Sequence, residues 1–377
     1  MSKMKGPFIY ENWKASVGAP ATEAMFEFPL FTDAYVAGEI TEGLGPYQVL
    51  NGFSLPYGGE MVAGAVLRLA VYGEDDATVE GMKKTYVRRY HGGWINEEVA
   101  ALLSLSFGFR LKSGGISRRY DLGHDPLGRP CGPAAKENPV LLKPQGCRPV
   151  VPYASGNHAI TATELLRRLP DLSPENAVAL VKSARRYQDG LWIAEFQPEQ
   201  AWLMFVSAIE VAAEEWCRES ASPTERLELL RPELFCRLKD EGGEALAEYV
   251  AEQIVDSMGS TKKFADFLLQ FKPGPPSTRP ARSVQVPWDD AHLGYCFKKI
   301  YGWRSRALHG GIPFTRPMCE APQLLGQAYN EEPLGIATAT RGGVWRTKDA
   351  PMLLHIFEYI VRKALLAWWA SMIPESV

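Results

Sequence analysis

The residues best equipped for chemistry stand together in the run Tyr301-Gly302-Trp303-Arg304-Ser305-Arg306-Ala307-Leu308-His309-Gly310-Gly311. Histidine titrates near neutrality and can take up or release a proton at a reacting oxygen. Arginine is a permanent cation whose planar fork binds phosphate or stabilises negative charge developing on it. On a helix, Ser305 lies one turn before His309 on the same side. Arg304 lies about 140° around the axis from His309, so the two do not form a compact pair within one turn. A second protomer or a neighbouring segment is expected to complete any site they share.

The positioning element is a helix that Asp289 or Asp290 can cap. Leu293, Cys296, Ile300, Trp303 and Ala307 alternate spacings of three and four along it and predict a core-facing stripe. Arg304 falls at the edge of that stripe, and Ser305 and His309 fall on the other side. Gly310 or Gly311 is expected to end the helix in the left-handed conformation, leaving His309 in its last turn. From Arg279 to Arg316 seven Lys or Arg residues face two acidic ones, whereas the stretch from Thr161 to Lys272 is acidic. Positive charge is thus concentrated around the motif, with Lys298, Lys299 and Arg306 as candidate polyanion-binding cations, nucleic acid included. A second cationic stretch, Arg110 to Arg148, includes Lys112, Arg118, Arg119, Arg129, Lys136 and Lys143, of which Arg118 and Arg119 are further candidates.

The rest of the chain predicts an α+β fold in two domains. Its 377 residues, 46% of them hydrophobic, are enough for two ordinary cores, and a formal charge of −3 excludes a generally basic nucleic-acid coat. Residues 1–153 read as a β-rich or α+β domain. Strand signals occur at Phe26-Glu27-Phe28, Met61 to Tyr72 and Leu103 to Phe109, with a short helix from Asn96 to Leu103 and glycine pairs as punctuation. From Gly114 to Ser155 proline and glycine predict mainly loop. Residues 154–377 read as an all-α bundle. Ser173 caps one helix towards Tyr187, Pro198 opens a second through Trp202 and Ile209, and Ala245 to Val255 gives a third. Ser260 caps the next, a proline-rich linker spans 273–287, a long insertion spans 312–348, and an amphipathic helix runs from Pro351 to Met372.

Arg304-x-x-x-x-His309-Gly310 resembles the signature of HEPN domains, and the run from Tyr301 to Gly310 is most similar to the Apea-like branch. The helix carrying Trp202 and Glu210 also resembles that family's early core helix, so the likeness covers roughly 161–372 and leaves the N-terminal half without a counterpart. The resemblance implies a helical bundle, a homodimer in which two motif helices meet, and a metal-independent endoribonuclease of host defence or toxin systems. In that reading Arg304, His309 and Ser305 are the catalytic residues, RNA is the substrate, cleavage by the 2′-hydroxyl leaves a 2′,3′-cyclic phosphate, and no cofactor is used. The alternative is a non-catalytic HEPN-like module that dimerises and binds RNA or a regulatory protein. A third reading has Arg304 and His309 merely solvating a helix end.

Other constellations are weaker. His124, Cys131, Cys147 and His158 lack the tight pairs of zinc modules, so no metal site is expected. His91 reads as a turn residue and His355 as a packed core histidine. No phosphate loop or nucleophile elbow occurs. Six scattered cysteines without a Cys-x-x-Cys pair predict reduced thiols, the N-terminus lacks a secretory pattern, and Ala364 to Ile373 is too short to span a membrane. A cytoplasmic protein without membrane attachment is expected.

Overall fold

The computed structural model describes residues 6–20, 22, 24–52, 61–72, 92–121, 125–131, 148–220, 222–254, 259–334, 337–340 and 343–374. The chain is α+β, with a strand-rich N-terminal region and a helical C-terminal region. Helix α1 (Phe8–Ser16) precedes strands β1 (Ala24–Thr32), β2 (Ala34–Ala37), β3 (Tyr47–Asn51) and β4 (Val62–Ala70). Helix α2 (Ile95–Phe107) follows, then β5 (Lys112–Ser113), β6 (Arg118–Asp121), β7 (Asp125–Pro130) and β8 (Gly156–Ala159). The main sheet is antiparallel in the order β3-β4-β1-β6-β7, with β5 joining β1. Strand β2 pairs in parallel with β8, which returns the chain to the sheet side before the helices begin.

The helical region holds α3 (Glu164–Arg167), α4 (Pro174–Ile193), α5 (Pro198–Ser220), α6 (Pro223–Leu230), α7 (Pro232–Ile254), α8 (Ser260–Gln270), α9 (Asp290–Gly310) and α10 (Leu354–Ser371). Two-residue strands β9 (Leu324–Leu325) and β10 (Ala328–Tyr329), and the hairpin of β11 (Ala337–Thr340) and β12 (Gly343–Arg346), lie between the last two helices. Local chemistry starts these helices as expected. Ser173 Oγ accepts the Asn176 N–H ahead of Pro174, and Pro198 opens α5, where Trp202, Phe205, Val206 and Ile209 are buried. Trp202 stacks between Phe314 and Phe357, at ring distances of 5.3 and 4.7 Å. On α10, Leu354, Phe357, Val361, Leu365 and Trp368 all face the core. Among the described residues no helix is long and apolar enough to cross a membrane.

Both regions feed one continuous apolar cluster, running from Ile9 and Leu67 through Leu102 and Leu180 to Trp369. Helices α6 and α7 stand aside with a small cluster of their own around Leu227 and Phe235. Polar ties also join the regions, among them Tyr10 OH to Leu172 O, Lys112 to Asp189, and those of Arg110 and Arg362. Arg110, after α2, lies between Asp33 and Glu195 at 3.1 and 3.2 Å, and Glu195 also accepts from Val150 N–H and Val151 N–H. Arg362 on α10 donates to the carbonyls of Leu105 and Ser106, otherwise orphaned at the end of α2. Gly108 caps that helix at φ 77°, and a Cβ there would lie 2.7 Å from Arg362 Nε, so both backbone and space require glycine.

Several expectations are corrected. Leu103 to Phe109 is not a strand, because α2 continues to Phe107. Residues 98–105 are buried all round, so no polar face displays the helical period, and Ser104 mimics alternation while its hydroxyl donates to Phe109 O. The supposed loop after Gly114 contains the β6–β7 hairpin, whose prolines and glycine lie on an edge strand where a missing N–H is tolerated. Helix α4 runs on to Ile193, α7 starts at Pro232 with a break at Gly243 (φ 74°), and Gly259 rather than Ser260 caps α8. The glycine pair 58–59, His91, His124, Lys136, Lys143 and Cys147 lie outside the described residues.

Candidate functional site at the end of α9

Helix α9 forms as its sequence directs. Asp289 caps it, accepting the His292 N–H at 2.9 Å, and Leu293, Cys296, Ile300 and Trp303 are buried. Its end is closed by Gly311 at φ 62°, with the N–H groups of Gly311 and Ile312 both donating to Arg306 O. The buried face packs on α8 and α5.

Arg304 points back into the bundle. Its Nη2 donates to Glu210 on α5 at 2.9 Å, and Tyr301 OH donates to the same carboxylate at 2.9 Å. Burial first, and then Glu210, push the Tyr301 phenol above its ordinary pKa, so it stays protonated as a donor. The guanidinium lies over the Tyr301 ring at 5.4 Å, and its Nε is buried without a hydrogen bond. Arg304 and Glu210 are 21% and 23% exposed, which leaves this pair within reach of a ligand.

His309 is exposed in the last turn, with no hydrogen bond or ion pair among the described residues, and Ser305 is half-buried. Leu308 and Ile312, on either side, are 53% and 51% exposed, an apolar rim around a polar tip. Residues 311–313 are exposed as well, so no described part of the 312–348 insertion covers the helix end. The insertion turns inward at Phe314, and Met318 O accepts from Trp202 Nε1. It comes back at Asp349, which pairs with Lys299 at 3.0 Å and whose carbonyl accepts from Trp303 Nε1.

The candidate cations divide accordingly. Arg306 is exposed, lying 4.5 Å over the Trp303 ring, and Lys298 is exposed. Lys299 is held by Asp349 and sits near the Tyr295 ring. Arg118 and Arg119 are on β6, away from α9 in the chain and joined to it by no hydrogen bond or ion pair. Arg118 donates to Leu127 O and Gly128 O, and Arg119 lies over Phe26. Of the zinc candidates that are described, Cys131 is an exposed free thiol and His158 packs on Phe109 at 4.9 Å. The described residues contain no cluster suited to a metal ion. His355 is buried, as expected of a core histidine.

The structure therefore brings Arg304 to Glu210 and Tyr301, and leaves His309, Ser305 and Arg306 around an open helix tip. The role of Glu210 as the partner of Arg304 was not readable in advance. Its one signal was its place on the α5 frame, since pairing across 94 residues leaves no local trace. The chain matches no protein-family model, no curated protein and no solved structure.

Proposed function

We propose that the end of α9 is the catalytic tip of a HEPN-type endoribonuclease that works as a homodimer. The observation that carries this reading is the division of labour on one helix, with Arg304 fixed by Glu210 while His309 stands exposed beyond it. An exposed histidine next to Leu308 and Ile312 suits a site closed by a second copy, whose own α9 tip brings a second His309 to the phosphate. One His309 takes the proton of the RNA 2′-hydroxyl as that oxygen attacks phosphorus. The other gives a proton to the departing 5′-oxygen, leaving a 2′,3′-cyclic phosphate. Arg304 stabilises the charge on the phosphorane, Ser305 orients the histidine or the phosphate, and Arg306 and Lys298 hold the RNA backbone. This chemistry is carried by side chains and needs no cofactor.

The test is RNA cleavage in the presence of chelator by wild type, Arg304→Ala and His309→Ala. Cleavage is expected to fall by about 10²-fold or more in each variant while dimerisation persists. Cutting undiminished in His309→Ala overturns the assignment. One observation favours the second reading, a binding module without catalysis: the His309 ring has no hydrogen bond among the described residues, from Ser305 or any other side chain. That reading predicts RNA binding without cleavage by nuclease-free protein.

A further inference from the structure

A cavity of about 560 Å3 lies away from α9, among the end of α2, the proline-rich linker, the 312–348 insertion and α10. It falls within the range of roughly 300–1,000 Å3 usual for small-molecule sites. Three tyrosines line it, Tyr153, Tyr329 and Tyr359, with Tyr153 and Tyr329 edge to face at 5.8 Å. Aromatic walls of this kind take a flat ring.

The polar groups in its wall are unevenly matched. Glu331 is occupied by Arg279 and the Val286 N–H, and Glu358 accepts from Tyr187 OH at 2.5 Å. Burial pushes the Glu358 carboxyl above its ordinary pKa, which weakens the negative charge of this wall. Lys363, by contrast, has no hydrogen bond or ion pair among the described residues, and adjoins Arg362 on the same cavity. Its ammonium is held below the usual lysine range by desolvation and then by Arg362, a penalty that an anion would relieve.

His355 adds direction. It is 3% exposed and lines the cavity, its Nε2 is 2.9 Å from Asn330 O, and its Nδ1 has no partner. A carbonyl can only accept, so Nε2 carries the proton and Nδ1 is left as a buried acceptor awaiting a donor.

We propose that this cavity binds a nucleoside monophosphate whose base carries an amino group, with the base among the tyrosines, its N–H at His355 Nδ1, and the phosphate at Lys363 and Arg362. None of these residues belongs to α9, so the site stands whether or not the helix tip cleaves RNA. The ligand would touch both the strand-rich region, at Tyr153, and the last helix, which makes it a natural control point between them.

The experiment is calorimetric titration of the full-length protein with AMP, GMP and CMP, and with adenosine and inorganic phosphate as the two halves of the ligand. At least one nucleotide is expected to bind about tenfold or more tightly than either half. Lys363→Ala should weaken nucleotide binding about tenfold and leave adenosine unchanged, whereas Tyr153→Ala should weaken both. Both side chains are exposed, Tyr153 at 57%, so the variants are expected to fold, which thermal melting verifies. No binding of any nucleotide up to about 1 mM, phosphate binding as tightly as the nucleotides, or affinity indifferent to both substitutions would overturn the proposal.

Discussion

Two arginines in this protein each meet carboxylates, and they do so in opposite surroundings. Arg110 and Asp33 have fully buried side chains and Glu195 is 5% exposed, whereas Arg304 and Glu210 keep about a fifth of their surface in solvent. Burial makes the first cluster an obligation, since removing one partner strands the others in a medium that cannot solvate them. Partial exposure makes the second an available cation. Water screens it, so the pair adds little to stability and leaves the guanidinium able to exchange its partner for a phosphate. The same ion-pair chemistry thus joins two regions of the chain in one place and, in the function we propose, presents a working group in the other.

This contrast can be tested by ordered substitutions. Arg110→Ala is expected to destabilise the fold by about 3–5 kcal/mol, read from denaturant melts. A loss near zero would show that the cluster is not under obligation at all. His355 provides the next step. Desolvation lowers its pKa from 6.5 to about 4, so between those values the unfolded chain binds the proton and the folded one does not. Its contribution is complete above about pH 6.5 and disappears as pH falls towards 4, a loss of about 3 kcal/mol relative to His355→Gln. Buried carboxyls such as Glu358 act in the opposite sense, so the difference between the two proteins, followed by melts across that pH range, is the informative quantity. Arg304→Ala should cost under about 1 kcal/mol of stability while abolishing most RNA cleavage. A cost like that of Arg110 would reassign Arg304 to the scaffold. Smallest of all, breaking the exposed Lys262–Asp266 pair should move stability by no more than about 0.5 kcal/mol and sets the floor for the series.

The helical region is legible because its helices have chemically marked ends and α5 and α9 keep a more accessible side. Ser173, Pro174, Asp289 and Gly311 mark ends by local chemistry, and α5, α9 and α10 carry apolar stripes that survive in the sequence as spacings of three and four. Asn96 to Leu103 reads as helix, but the end of α2 from Leu103 on reads as a strand, because burial on every side leaves no polar face to mark the period. The parallel pairing of β2 with β8 was invisible for another reason. It joins Ala34–Ala37 to Gly156–Ala159, and no short-range pattern encodes a partner so far along the chain. At the site, the exposed His309 followed from helical geometry alone, while the engagement of Arg304 by Glu210 and the cavity around His355 required tertiary structure.

The tie between Arg362 and the end of α2 also has a consequence in time. The carbonyls of Leu105 and Ser106 wait for a side chain 256 to 257 residues further along. At ordinary rates of synthesis that interval lasts on the order of tens of seconds, during which α2 is complete in sequence but lacks this cap. The strand-rich region must therefore emerge first and be latched last. A ribosome stalled before Arg362 is expected to display a chain whose N-terminal region is open to proteases that the finished protein resists.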